Sequence, residues 1–378
     1  MVDEPVLFLP EELGEELTAA GHDLPERRAV HPRNRLNELT GEQWLYFTKS
    51  VLQTSYPSVF GHRLRKAHGA NKPPQLMALL VEFFTTRSGR VLDPFAGVGG
   101  TLIGASIARP APRACVGIDV SAEWAEIYRR VLDEHPGLAP QSMIVGDCIA
   151  VMDDWLAGRA VIATDGQPVS ASEAAPFDFI ATDPPYNIHL RQTMSGAGGA
   201  GYATRFANRR SDYNMRSDHP GDLANLPDFE SYLAAMEQVL ARCFRLLRPT
   251  KYLALIVRNA YQGGEYLFTH AELARRAKNV GFVPKGEIVW FQAGTRLRPY
   301  GYPSSYVPNI SHQFILVLQR PADTGARGET KAVSPLRASV PGGPDEPGAR
   351  SRDDRAPSDS APDARRPGAR AGRSGAGP

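Results

Sequence analysis

From Arg90 to Leu318 the chain alternates short apolar runs with amphipathic stretches of helical period, and this alternation constrains the fold more than any other feature. The apolar runs are Arg90–Asp93, Ala114–Ile118, Ser142–Val145, Phe177–Thr182, Tyr252–Val257, Gly286–Phe291 and His312–Leu318. Helical periodicity starts at Thr101, at Ser121, at Phe229 and at Thr269, so most runs are followed by a segment able to carry the chain back across a sheet. Parallel strands need such crossovers, whereas the last two runs are joined by a loop without helical signal and pair most simply as antiparallel neighbours. The expected fold is α/β: a mainly parallel seven-stranded sheet with a terminal antiparallel strand and helices on both faces.

The flanks divide the chain further. Residues 1–67 read as an N-terminal extension with a short helix: Thr40 and Gln43 fit a capping box, and Trp44, Phe47 and Val51 recur at helical spacing to about Leu52. A basic run, His62 to His68, follows, and Pro73 and Pro74 then open a helix whose Leu76, Leu79, Leu80 and Phe83 share a face. The main domain is expected over 68–320. Within it, 187–228 is an irregular insert, a lid or a target-recognition loop. The stretch 321–378 has no aromatic residue and is dense in Pro, Gly, Ala and mixed charge, a composition expected to stay disordered. No apolar run approaches the roughly 18 residues that span a bilayer, and the acidic opening lacks the basic start of a secretory signal, so the cytoplasm is expected. Cys115, Cys148 and Cys243 stand far apart without a metal-ligand array, which predicts reduced thiols and no metal site. With a net charge of only +2, attraction to nucleic acid would have to come from local basic patches.

The run Val91-Leu92-Asp93-Pro94-Phe95-Ala96-Gly97-Val98-Gly99-Gly100-Thr101 turns from a buried strand into a helix, with glycines where a ligand can approach backbone closely. Leu102 stands where a dinucleotide fingerprint wants a third glycine, and no Gly-Lys-Ser/Thr of a phosphate loop is present. Asp93 at the strand end would repel a pyrophosphate and welcome a cationic amino-acid moiety. Asp119 ends the second strand, where an acid accepts ribose hydroxyls, and Asp147 in Gly146-Asp147-Cys148 ends the third. Asp119 and Asp147, each taken singly, have helix capping as the alternative reading. A fourth, Asp183, opens Asp183-Pro184-Pro185-Tyr186-Asn187 at the end of Phe177–Thr182.

Together, Asp93 to Thr101, Asp119, Asp147 and Asp183 to Asn187 resemble the S-adenosylmethionine-dependent methyltransferases that modify adenine N6 or cytosine N4 in DNA. Asn71-Lys72-Pro73-Pro74 resembles the family segment that holds the methionine end of the cofactor, and Asn34 to Lys49 also looks typical of some members. The resemblance implies a Rossmann-like class I methyltransferase fold and S-adenosyl-L-methionine as cofactor. It implies cofactor contacts from Lys72, Pro73, Asp93, Phe95, Ala96, Gly97, Gly99, Thr101, Asp119, Asp147 and Cys148. Asp183, Pro184, Pro185 and Tyr186 become the catalytic residues: Asp183 and the Pro184 carbonyl accept from the amino group, two prolines stiffen the turn, and Tyr186 stacks on a base rotated out of its helix.

Asp at the head of the motif favours adenine over cytosine, because it goes with adenine in most of the enzymes resembled. No Pro-Cys nucleophile supports carbon-5 methylation of cytosine. For DNA contact, Arg191, Arg205, Arg209, Arg210 and Arg216, interleaved with aromatics in the insert, come first. The Tyr- and Pro-rich 296–308 loop and the His62–His68 run follow. An RNA base remains the alternative substrate, and a nucleic-acid-binding module without turnover a more distant one. No long recognition domain is evident, so a restriction or recognition partner fits, and the oligomeric state is open.

Overall fold

A computed structural model describes residues 30–54, 56, 59–69, 71–170, 177–186, 219–292, 294–295 and 297–323. All of these fall in the first of two compact units, 1–325; the second, 326–378, lies outside the described residues, as do the insert arginines.

Alternation along each strand sends one side chain to each face of the sheet, and the core divides accordingly. On one face Leu92, Val116, Ile144, Ile180 and Leu255 pack beneath helices α6 (Cys148–Leu156), α7 (Phe229–Leu246) and α8 (Thr269–Val280). On the other, Val91, Cys115, Met143, Phe179 and Ala254 meet α3 (Pro74–Phe84), α4 (Gly100–Ile107) and α5 (Ala122–Glu134). Helices therefore cover both faces, as the alternation requires.

The central strands are β2 (Arg90–Asp93), β3 (Ala114–Asp119), β4 (Ser142–Val145), β7 (Phe177–Thr182), β8 (Leu247–Val257), β11 (Val283–Phe291) and β12 (His312–Gln319). In space they run β4-β3-β2-β7-β8-β12-β11. The first five are parallel and β12 is antiparallel to both its neighbours. Two small antiparallel hairpins, β5 (Val161–Ile162) with β6 (Pro168–Val169) and β9 (Ala260–Gln262) with β10 (Glu265–Leu267), stand outside the sheet.

An eighth strand corrects the sequence expectation. The helix entered through the Thr40–Gln43 capping box, α1, spans Gly41–Phe47, and Val51–Gln53 is instead β1, paired in parallel with β11 at the sheet edge. Thr48 turns the chain, and Val289 then donates to the Ser50 carbonyl at 2.8 Å. Nor is this region an appendage. Phe47 stacks on Phe83 at 3.8 Å between ring centroids, and buried Asn37 donates to the Phe83 carbonyl at 2.6 Å. The basic run forms α2 (His62–Arg65) and a 3-10 turn (Lys66–His68) packed beside α5.

The turn between β2 and α4 shows why glycine is needed there. Gly99 caps α4 at φ +79°, and a methyl on it would overlap the ring of buried Tyr128. Gly158 has nearly the same φ, +78°, but open space around it. Gly158→Ala is therefore expected to cost about 1 kcal/mol from backbone strain alone. Gly99→Ala should cost about 1–3 kcal/mol more through overpacking. Urea denaturation of the two variants measures the difference, and equal losses would refute the packing role of Tyr128.

Candidate active site at the switch point of the sheet

After β2 the chain winds outward through β3 and β4, then returns to build β7 and β8 on the other side of β2. Crevices for ligands open at such a reversal, outside the carboxyl ends of the strands. Here those ends belong to β2 and β7. The chain leaves β2 through Asp93 and leaves β7 into Asp183.

Asp93 is 3% exposed and both its carboxylate oxygens accept hydrogen bonds. Oδ1 accepts from the Phe95 amide at 3.0 Å and from the Thr182 hydroxyl at 2.7 Å, and Oδ2 accepts from the Thr101 hydroxyl. It therefore ties the glycine turn, the first turn of α4 and the last residue of β7 to one point. Burial pushes its carboxyl pKa up to about 6, against the pull of these hydrogen bonds. Asp93 thus has a structural clamping role in the chain itself.

Asp119, at the end of β3, accepts from Gly97 N at 2.8 Å and from Ser121 N at 2.9 Å, one on each oxygen. Burial raises its pKa to about 6 as well, opposed by those two amides. Each oxygen keeps a lone pair for further donors. Asp147 caps α6 through Ile149 N at 2.9 Å, the structural role weighed against ligand contact for it, and Cys148 begins that helix as a buried thiol whose pKa burial pushes well above its ordinary value. Ala96, Gly97 and partly buried Phe95 form the turn, Thr101 is buried against Asp93, and Pro73 precedes α3.

Asp183 carries the densest set of contacts. Buried Lys72 forms an ion pair with Oδ2, and the Tyr186 hydroxyl donates to Oδ1. Lys72 Nζ also lies 3.2 Å from the Tyr186 hydroxyl and 5.6 Å from its ring centroid, and Gln313 Oε1 on β12 lies 3.1 Å from the same hydroxyl. Burial raises the Asp183 carboxyl pKa, while Lys72 and the hydrogen bond from Tyr186 hold it down. Tyr186 packs against the core with its hydroxyl turned to Asp183 and Lys72 Nζ over its ring. Pro184 is buried. Gln313 was not foreseen, since its contact spans 127 residues and its own neighbourhood carries no motif.

The reversed strand order, with left-handed glycines at φ +51° and +79° in the turn after β2, is the architecture of the class I methyltransferase fold. A family model described as DNA methylase, of the N6/N4 type, matches residues 24–130 and 177–352. The chain belongs to this family of adenine-N6 and cytosine-N4 amino-methyltransferases, whose cofactor is S-adenosyl-L-methionine. The turn and Asp119 fit that cofactor: one admits close backbone approach, and the other offers acceptors where ribose hydroxyls would lie.

Among curated proteins nothing matches. Among solved structures, TrmN from Thermus thermophilus is 16% identical, with 69% of this chain and 53% of that one covered and a TM-score of 0.40. A second Thermus thermophilus protein, assigned as a DNA modification methylase and solved with S-adenosyl-L-methionine, is 26% identical over 31% of this chain and 47% of that one, at TM-score 0.22. A methyltransferase from Pyrococcus furiosus is 12% identical, with 66% and 83% covered and a TM-score of 0.36. The chain thus spans about half the length of the first two. With every score below 0.5, the architecture rests on the strand order itself.

Burial of Asp93 has a consequence for pH. Its folded value near 6 lies above the ordinary 3.8, so the stability it contributes is complete below about 4 and is lost as pH rises through about 6. Replacing it by neutral Asn removes that dependence. The stability of Asp93→Asn relative to wild type is expected to rise between pH 4 and 7 by about 3 kcal/mol at most. Parallel denaturation curves across that range measure it, and a pH-independent difference would contradict a strained buried carboxylate.

Proposed function

We propose that the chain transfers the methyl group of S-adenosyl-L-methionine to the exocyclic amino nitrogen of a DNA base, adenine N6 in preference to cytosine N4, with the base rotated out of its helix and in the cytoplasm. The observation carrying this reading is Asp183, a desolvated carboxylate one residue beyond the clamp that fixes the cofactor turn.

An exocyclic amino nitrogen shares its lone pair with the ring and attacks poorly. Asp183 and the Pro184 carbonyl accept its two N–H bonds, drawing the lone pair back onto nitrogen and toward the incoming methyl. The cofactor supplies that methyl in electrophilic form on a sulfonium. Each Asp183 oxygen already accepts one donor, from Lys72 or Tyr186, and has a lone pair left for the substrate. Lys72 favours the ionised carboxylate against the rise that burial imposes, and Tyr186, braced by Gln313, fixes its plane. Once nitrogen has gained the methyl it carries one proton too many, and Asp183 is the adjacent acceptor.

For DNA contact, the loop between β11 and β12 opens at the same end of the sheet as Asp183, since Phe314 pairs with Val257 and Thr182 with Leu255. Its Tyr302 and Tyr306 are 74% and 85% exposed, and are proposed to stack on bases. Arg191, Arg205, Arg209, Arg210 and Arg216 are proposed to meet phosphates.

Mass spectrometry of DNA nucleosides from expressing cells is expected to reveal N6-methyladenine that vanishes with Asp183→Ala. A double Tyr302→Ala, Tyr306→Ala variant should bind cofactor normally and DNA about tenfold or more weakly. Methylated RNA nucleosides with unmodified DNA would overturn the DNA assignment, and N4-methylcytosine alone would overturn the choice of adenine.

A further inference from the structure

Arg65 is 1% exposed, yet no carboxylate among the described residues forms an ion pair with it. Its Nη2 donates to the Lys72 carbonyl at 2.5 Å, while Nε has no partner among the described residues. Burial pushes the guanidinium pKa down to about 10, with no neighbouring charge offsetting the loss of water. Nη2 also lies 3.5 Å from where a side chain on Gly100 would begin, facing the amino end of α4, whose dipole has like sign. An unpaired buried cation beside a second positive end is costly, and proteins retain such groups where a ligand supplies the counter-charge.

His68 stands three residues on, along the same continuous helical turn, and so shares a face with Arg65. Its Nδ1 is buried without a partner, and its Nε2 lies 3.4 Å from where a side chain on Gly97 would begin. Its ring packs edge-on against Trp124, 4.9 Å between centroids. Burial, aided by Lys72 and Arg65, pushes its pKa down to about 4, so the ring is neutral and one nitrogen carries a hydrogen to donate. Arg65 and His68 therefore flank the two ends of the glycine turn, each with a nitrogen that has no partner among the described residues.

We infer that Arg65 and His68 receive the carboxylate of the cofactor's methionine end, with Arg65 supplying the counter-charge and His68 a neutral hydrogen bond. This rests on S-adenosyl-L-methionine being the cofactor. It reassigns two members of a basic run from DNA contact to an anion receptor beneath the turn, and leaves Arg63 and Lys66 exposed.

Calorimetric affinities of the full chain test the assignment without turnover. Wild type is expected to bind S-adenosyl-L-methionine about tenfold or more tightly than its decarboxylated form. Arg65→Met should lose about tenfold or more in affinity for the intact cofactor and keep its affinity for 5′-methylthioadenosine, which has no carboxylate, within about threefold. His68→Phe should show the same selectivity with a smaller loss. Parallel losses for both ligands would make Arg65 a structural support of the Lys72 carbonyl and overturn the inference, as would equal wild-type affinity with and without the carboxylate. Wild type binding none of the three ligands would overturn the cofactor itself. Should Arg65→Met fail to fold, the wild-type comparison and His68→Phe decide.

Discussion

The Asp93 carboxylate is the interaction on which the rest of the site depends. It is buried at the end of β2 and receives donors from three separate places, the turn, α4 and β7. Removing any of the three would leave part of a buried charge unsatisfied, which is why their relative positions are fixed more firmly than packing alone would fix them. Thr182 is the partner that matters most for chemistry, because the next residue is Asp183. Asp93, at the start of the glycine turn, and Thr182, which leads into the Asp183 motif, lie 89 residues apart in sequence and one hydrogen bond apart in space.

Around that point the site gathers an unusual balance of charge. Asp93, Asp119 and Asp183 all have carboxyl pKa values raised by burial. Lys72 meets one of them directly, and Arg65 meets no carboxylate among the described residues. A crevice of this kind holds acids at the ends of β2, β3 and β7 and cations on the segment preceding α3. It suits a ligand that carries both signs, with an amino acid at one end and a hydroxylated ring at the other. The cost of desolvating these groups in the free protein becomes binding energy once a matching ligand fills the crevice.

Much of this was legible in the sequence because strand ends are local events. An apolar run followed by an acid and glycines reads the same way in sequence and in space, so Asp93, Asp119, Asp147 and Asp183 could be placed before any coordinates. The family itself followed from those four acids and the glycine turn. Features that arise only from tertiary contact were not legible. Val51–Gln53 is a strand solely because β11 offers it an edge, and three residues carry no periodicity of their own. Gln313 joins Tyr186 from a different strand, and Lys72 reaches Asp183 across 111 residues. The run His62 to His68 shows its charge in sequence but not that Arg65 within it is buried while Arg63 and Lys66 stay exposed.

Thr182→Val tests the coupling most directly, since it removes the hydroxyl that joins Asp93 to the catalytic strand and leaves the side-chain shape in place. Single-turnover methyl transfer to DNA and cofactor affinity would be measured on the same preparation. The account predicts a rate at least about tenfold lower, with cofactor affinity within about twofold of wild type. An unchanged rate would contradict the claim that this one buried carboxylate aligns the two halves of the site.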